Sequence, residues 1–91
     1  MLTLVTYDIA DNRRRTKLAK FLEGYGRRVQ ESVFECFLSL EEMRQLHQTI
    51  VRRINPDEDN VRFYWIPSGA VKKSMAIGST PPTPPPQAYF L

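Results

Sequence analysis

Cysteine is nearly missing from this chain: Cys36 is the single example in 91 residues. An internal disulfide is therefore excluded, as is any zinc or iron–sulfur site built from several thiolates. Histidine is as scarce, with His47 alone. No second His or Cys lies at ligand spacing from it, and Ser32 has no histidine near it in sequence. Neither a metal-binding pair nor a hydrolytic triad is supported. No apolar run approaches the roughly 18 residues of a membrane span. Met1-Leu2-Thr3-Leu4 lacks the basic start of a signal peptide, and Asp8 interrupts the apolar stretch early. A cytoplasmic, reducing setting and no membrane are the expectations.

What is present is modest in amount and uneven in placement. Hydrophobic content of 42% and charged content of 25% are ordinary for a globular protein. A chain this small buries only about two-thirds of the surface it exposes when unfolded, so stability is marginal or shared with a second copy. The net charge is +3, yet residues 1–30 hold seven Lys/Arg against Asp8, Asp11 and Glu23, which is +4 and leaves −1 for the rest. Such local positive density draws polyanions. Its bland counterpart is a solvated helix face, and the charge run alone does not separate the two.

Leu2 to Ile9 reads as a strand. Asp11 or Asn12 caps the helix behind it, whose apolar stripe is Leu18, Phe21, Leu22 and Tyr25. Arg13, Lys17 and Lys20 form a basic stripe beside it, and Gly24 or Gly26 is expected in the left-handed position that ends the helix. Arg28 to Leu38 is β-rich, either one bent strand or two strands joined near Glu31-Ser32. Ser39 and Glu42 make a capping box for a second helix with Met43, Leu46, Ile50, Val51 and Ile54 on one face. Asn60 to Ile66 is a strand with aromatics on both faces, and Ala70 to Ile77 is expected to be a further strand, its Lys72-Lys73 suited to an edge. Residues 79–91 are proline-rich and are expected to be a disordered tail, unless Ala88-Tyr89-Phe90-Leu91 docks onto something.

The expected architecture is thus α+β: a ferredoxin-like β-α-β-β-α-β domain over residues 1–78 with an additional C-terminal strand. Helices on one sheet face leave the other bare, which points to a symmetric homodimer.

Asp8 is the first chemical candidate. A lone carboxylate at a strand end more often ties a turn or a helix start, and one per chain is too few for a firm magnesium site. Two Asp8 side chains meeting across a twofold axis suffice, and they repel each other without a cation. Among the arginines, Arg14 falls on the apolar side and is expected to lean toward Asp8 or Asp11, whereas Arg13, Lys17 and Lys20 are free for phosphates. Arg15 points in a third direction, and Arg28 extends the same basic surface. Cys36 reads as a packing residue. Phe63, Tyr64 and Trp65 resemble a base-stacking platform, but core or dimer packing explains them more simply.

Taken together, Tyr7-Asp8-Ile9, the stretch from Asp11 to Lys17, Leu18-Ala19-Lys20-Phe21-Leu22, Tyr25-Gly26, Arg28-Val29-Gln30 and Ser32-Val33-Phe34-Glu35 resemble the Cas-two (Cas2) family. These are small CRISPR-associated proteins that partner the Cas-one integrase in spacer acquisition. The resemblance covers roughly residues 1–77. It implies a ferredoxin-like homodimer whose sheets face each other, the last strand adding to the partner's sheet. It implies a metal-dependent endonuclease for RNA or duplex DNA, with Mg²⁺ held at the dimer axis by one Asp8 from each chain. Tyr7, Arg15, Lys17, Arg28 and Phe34 match positions tied to activity or nucleic-acid contact; Lys17 stands where some relatives have Arg, keeping charge but not bidentate geometry. Two other roles are implied by kinship: a non-catalytic, DNA-bridging scaffold for the integrase, and a toxin-type endoribonuclease of related fold.

Overall fold

The computed structural model describes residues 1–78, so the expected proline-rich tail lies outside the described residues. The elements are β1 (Leu2–Asp8), α1 (Asn12–Leu22), β2 (Arg27–Gln30), β3 (Val33–Phe37), α2 (Leu40–Val51), β4 (Asn60–Ile66) and α3 (Ser68–Lys73). The strands form one antiparallel sheet in the order β2-β3-β1-β4. Among the described residues no helix is long and apolar enough to cross a membrane.

Strand alternation decides what each face carries. Val5 and Tyr7 of β1 and Phe34 and Cys36 of β3 are buried, and they join Leu18, Ala19 and Leu22 of α1 and Leu46 and Ile50 of α2 in one core. Leu4, Thr6 and Asp8 point the other way, to a face without helices, and there Asp8 is exposed. Thr3 is fully buried on the core side, and its hydroxyl has no hydrogen-bond partner among the described residues. Thr3→Val is accordingly expected to raise stability by about 1 kcal/mol, read by urea unfolding, because it removes an unpaired buried polar atom at nearly constant shape.

Local signals account for most boundaries. Asp11 caps α1, its side chain accepting from the Arg14 N–H at 2.8 Å. Ser39 and Glu42 form the capping box in both directions. The β-rich stretch proves to be two strands with a turn at Glu31-Ser32 and a register shift between Arg28 and Gln30.

Four expectations are corrected. Residues 70–77 are not a strand: Pro67 turns the chain away from β4, the Ala70 and Val71 N–H groups donate to the Pro67 carbonyl, and α3 forms. Beyond it Met75 and Ile77 are fully exposed. The free edge of β4 is left unpaired by this segment, because the chain leaves it at Pro67 and closes into a helix instead of folding back. Val51 is exposed rather than packed, since the core seam of α2 runs through Leu46 and Ile50. Tyr25 is likewise 42% exposed, just past the last turn of α1, with its ring tilted against Phe21 at 5.1 Å.

The fourth concerns the glycines. Neither Gly24 nor Gly26 adopts a positive φ. Gly26 is required for closeness instead: a Cβ there would sit 2.3 Å from the Glu35 carbonyl oxygen and 2.6 Å from the Cys36 sulfur. Gly26→Ala is expected to cost about 2–3 kcal/mol, measured by chemical denaturation, because backbone rather than a pliable side chain must move.

Candidate nucleic-acid and metal site

Asp8 ends β1 directly opposite Asn60 of β4. Its carboxylate makes no hydrogen bond or ion pair with the described residues. Tyr7, one position earlier, faces the core, and its hydroxyl donates to the Glu31 carbonyl at 3.1 Å. Burial raises the Tyr7 phenol above its ordinary value, the Arg28 charge opposing. Adjacent residues of one strand thus serve opposite faces.

The same Glu31 carbonyl accepts from Arg28 Nε at 2.9 Å. The Arg28 guanidinium also lies 5.9 Å from the centre of the Phe34 ring, which in turn stacks on Tyr7. Phe34 and Tyr7 therefore orient Arg28 from beneath. Arg15 donates to the Ile9 carbonyl at 2.7 Å. Between α1 and the β2–β3 turn lies a groove of about 440 Å³, lined by the cations Arg15, Lys20 and Arg28, by Asn12 and Thr16, and by the carboxylates Glu23 and Glu31. Arg13, Lys17 and Lys20 are exposed and form no salt bridge among the described residues.

Arg14 differs from the other cations. Its Nε donates to Asp59 at 2.8 Å and its terminal nitrogen to Glu58 at 3.0 Å. Asp59 also accepts from the backbone N–H groups of Ala10 (3.0 Å) and Asn55 (2.8 Å). Its side chain is fully buried. The Arg14 guanidinium, helped by those two N–H groups, holds its carboxyl down to about 2. The expected lean of Arg14 toward Asp8 or Asp11 is thus corrected to a bond with a residue 45 positions away. The cause is burial: Asp59 needs a cation, and Asp8 is in water. Asp59 carries no signal in sequence beyond being an acidic residue before a strand, and a contact so distant along the chain is not readable from spacing.

Cys36 is buried, and burial pushes its thiol up to about 11, which fits packing and not nucleophilic chemistry. His47 is exposed, its ring 5.4 Å from that of Phe63. Phe63 packs against the core while Tyr64 is exposed on the other face.

Comparison with known proteins adds four findings. A family model described as CRISPR associated protein Cas2 matches residues 1–74. A protein of Chloroflexus aurantiacus named CRISPR-associated endoribonuclease Cas2 1 is 44% identical over 92 residues, covering 100% of this chain and 99% of that one. The crystal structure of Streptococcus pyogenes Cas2 superposes with a TM-score of 0.73 at 31% identity, covering 86% of this chain and 100% of that one. A chain of a partial Cas6-RT-Cas1–Cas2 complex superposes at 0.69 with 38% identity, covering 84% and 89%.

Proposed function

Because the chain belongs to the CRISPR-associated Cas2 family, we propose that it is a Mg²⁺-dependent endonuclease of spacer acquisition, acting on RNA or duplex DNA with a Cas1 integrase as partner. The observation that carries this reading is the Asp8 carboxylate, exposed on the helix-free face and without an internal partner among the described residues. Relatives named endoribonuclease support the activity, and the Cas1–Cas2 complex supports the partner.

The succession β-α-β-β-α-β and the strand order support a ferredoxin-like domain. Among the described residues no group of three or more His, Cys, Asp or Glu gathers to hold a metal. Mg²⁺ usually takes only one or two protein carboxylates and fills its shell with water and phosphate oxygens. Asp8 fits that demand if a symmetric homodimer brings a second Asp8 to it. The bare sheet face favours such a dimer, and so do Met75 and Ile77, whose exposure and two-residue spacing suit pairing with a partner's sheet.

When bound, the ion supplies Lewis acidity and lowers the pKa of a water. The chain's own groups do the rest. Asp8 from each copy holds the ion. Arg15, Lys20 and Arg28 take backbone phosphates in the groove, and Arg13 and Lys17 extend that contact along α1. Arg14, paired with Asp59 and Glu58, is not free for phosphate and serves instead to hold the start of α1 beside β4. Tyr7 and Phe34 fix the Arg28 guanidinium.

The test is a Mg²⁺ titration of cleavage on labelled duplex DNA and single-stranded RNA with wild-type dimer. Cleavage that rises with metal and stops with chelator is expected. A metal-indifferent or absent cut would leave the second reading, a DNA-bridging scaffold, which the basic surface of α1 and the Cas1–Cas2 complex favour independently. The toxin-type alternative yields to the Cas2 match over residues 1–74.

A further inference from the structure

Helices α1 and α2 form the outer layer of the molecule, on the side of the sheet away from the bare face. Successive helical positions rotate by about 100°, so α1 has two flanks and a crest. Asn12, Thr16, Lys20 and Glu23 lie on the flank that lines the groove. Arg14 and Phe21 lie on the opposite flank, where they meet residues just past the end of α2. Arg13 and Lys17 stand exposed on the crest between the two.

Phe21 follows Lys17 by one helical turn, about 6 Å along the axis. A cation there would continue the row begun by Arg13 and Lys17, but the position holds a ring packed against the core. Arg53, from the chain beyond α2, fills that gap from outside. Its guanidinium carbon lies 3.9 Å from the centre of the Phe21 ring, close enough for the ring face to attract and orient it. The residue is exposed, and its side chain forms no hydrogen bond or ion pair among the described residues. Of the acidic residues that follow α2, Glu58 and Asp59 are taken by Arg14, and Asp57 forms no ion pair among the described residues. Arg52, one position earlier, is also exposed but touches no ring there. Arg53 is thus held without being neutralised, and its five N–H donors are unspent. A guanidinium seated on one side and open on the other suits a pair of phosphate oxygens.

We infer that Arg53, seated on Phe21, binds a backbone phosphate of nucleic acid lying across the crest of α1. This rests on the proposed reading of the α1 cations as a nucleic-acid surface and does not depend on Asp8. It carries the contact from the groove of Arg15 and Lys20, over Lys17, to the junction of α1 and α2. The helix layer faces away from the sheet face assigned to the second copy, so this surface stays open in the homodimer.

The experiment uses the full chain as wild type and as Arg53→Gln, Arg53→Lys, Arg52→Gln and Lys17→Gln. Affinity for labelled duplex DNA and single-stranded RNA is measured against KCl concentration, with Ca²⁺ replacing Mg²⁺ so that the readout does not depend on cutting. Arg53→Gln is expected to weaken binding about fivefold. It is also expected to lower the slope of log affinity against log salt by about 0.9 on the duplex or about 0.7 on the single strand. Arg53→Lys is expected to restore the slope but only part of the affinity, since a point charge lacks the fork. Arg52→Gln removes the same charge without the ring and is expected to have the smaller effect. An effect confined to RNA or to DNA names the source of the phosphate. Equal effects of Arg52→Gln and Arg53→Gln would overturn the inference, because they report net charge alone. Unchanged affinity and slope in Arg53→Gln, with a lowered Tm, would overturn it too and assign the stacked pair to helix packing. Lys17→Gln judges the underlying reading. If neither it nor Arg53→Gln lowers the slope, the crest reading fails together with the inference; if Lys17→Gln alone does, the reading stands and Arg53 fails.

Discussion

Asp59→Ala should lower the stability of this protein by about 3 kcal/mol, more than any surface substitution is expected to do. The buried carboxylate ties three pieces of chain together: Ala10 after β1, Arg14 in α1 and Asn55 after α2. Removing it leaves two backbone N–H groups without their acceptor and loosens the cation that faced it. For a domain of this size that loss corresponds to roughly 12–24 °C in Tm. Asp59→Asn keeps the shape and one acceptor and should fall between the two. The pH dependence follows from the same carboxyl, which sits at about 2 against an ordinary 3.8. A depressed value means that the folded state holds the proton less tightly than the unfolded state. The stabilisation is therefore complete above about pH 4 and fades as pH falls through 3 toward 2. Urea midpoints from pH 6 to pH 2 should show this decline in wild type and a shallower one in Asp59→Asn. Parallel curves for the two proteins would refute the assignment.

Asp8→Ala is expected to do the reverse, leaving the fold alone and removing the chemistry. The side chain is exposed and unpartnered among the described residues, so stability should stay within about 0.5 kcal/mol of wild type. If Asp8 holds the ion that activates water, metal stabilisation of several kcal/mol disappears with it, a fall in cleavage on the order of a thousandfold. Single-turnover cleavage of labelled RNA and duplex DNA, with the dimer verified for both proteins, reads this directly. Retained cleavage would remove Asp8 from the mechanism. If two Asp8 carboxylates meet across a twofold axis, the variant in chelator should dimerise at least as well as wild type, because that repulsion is gone.

Much of this was legible from local chemistry. The β-branched, apolar run from Leu2 to Ile9 marked the strand to within one residue, Asp11 or Asn12 and Ser39 with Glu42 marked both helix starts, and the grouping of Arg13, Lys17 and Lys20 on exposed positions followed from helical spacing. What escaped has one physical source, contact between positions distant in sequence. The pull of Asp59 on Arg14 acts across 45 positions. The seat of Arg53 on Phe21 depends on how the end of α2 meets α1, which no spacing within either helix reveals. Gly26 looked like a helix terminator and is instead a gap that the β3 backbone fills. The segment after Pro67 misled because its apolar residues were read as a strand, whereas the Pro67 turn starts a short helix and leaves the free edge of β4 unpaired by it.

The opposite aims of Tyr7 and Asp8 make this site vulnerable to a change in length rather than in chemistry. Deleting one residue from the middle of β1, such as Thr6, exchanges their destinations if Leu2 to Val5 keep their pairing. The carboxylate would then be driven among Leu18, Leu22 and Phe34, and the phenol would stand in water with its carbonyl acceptor out of reach. No single substitution produces that double loss. Strand length, more than the identity of either residue, therefore constrains how this protein can vary and still work.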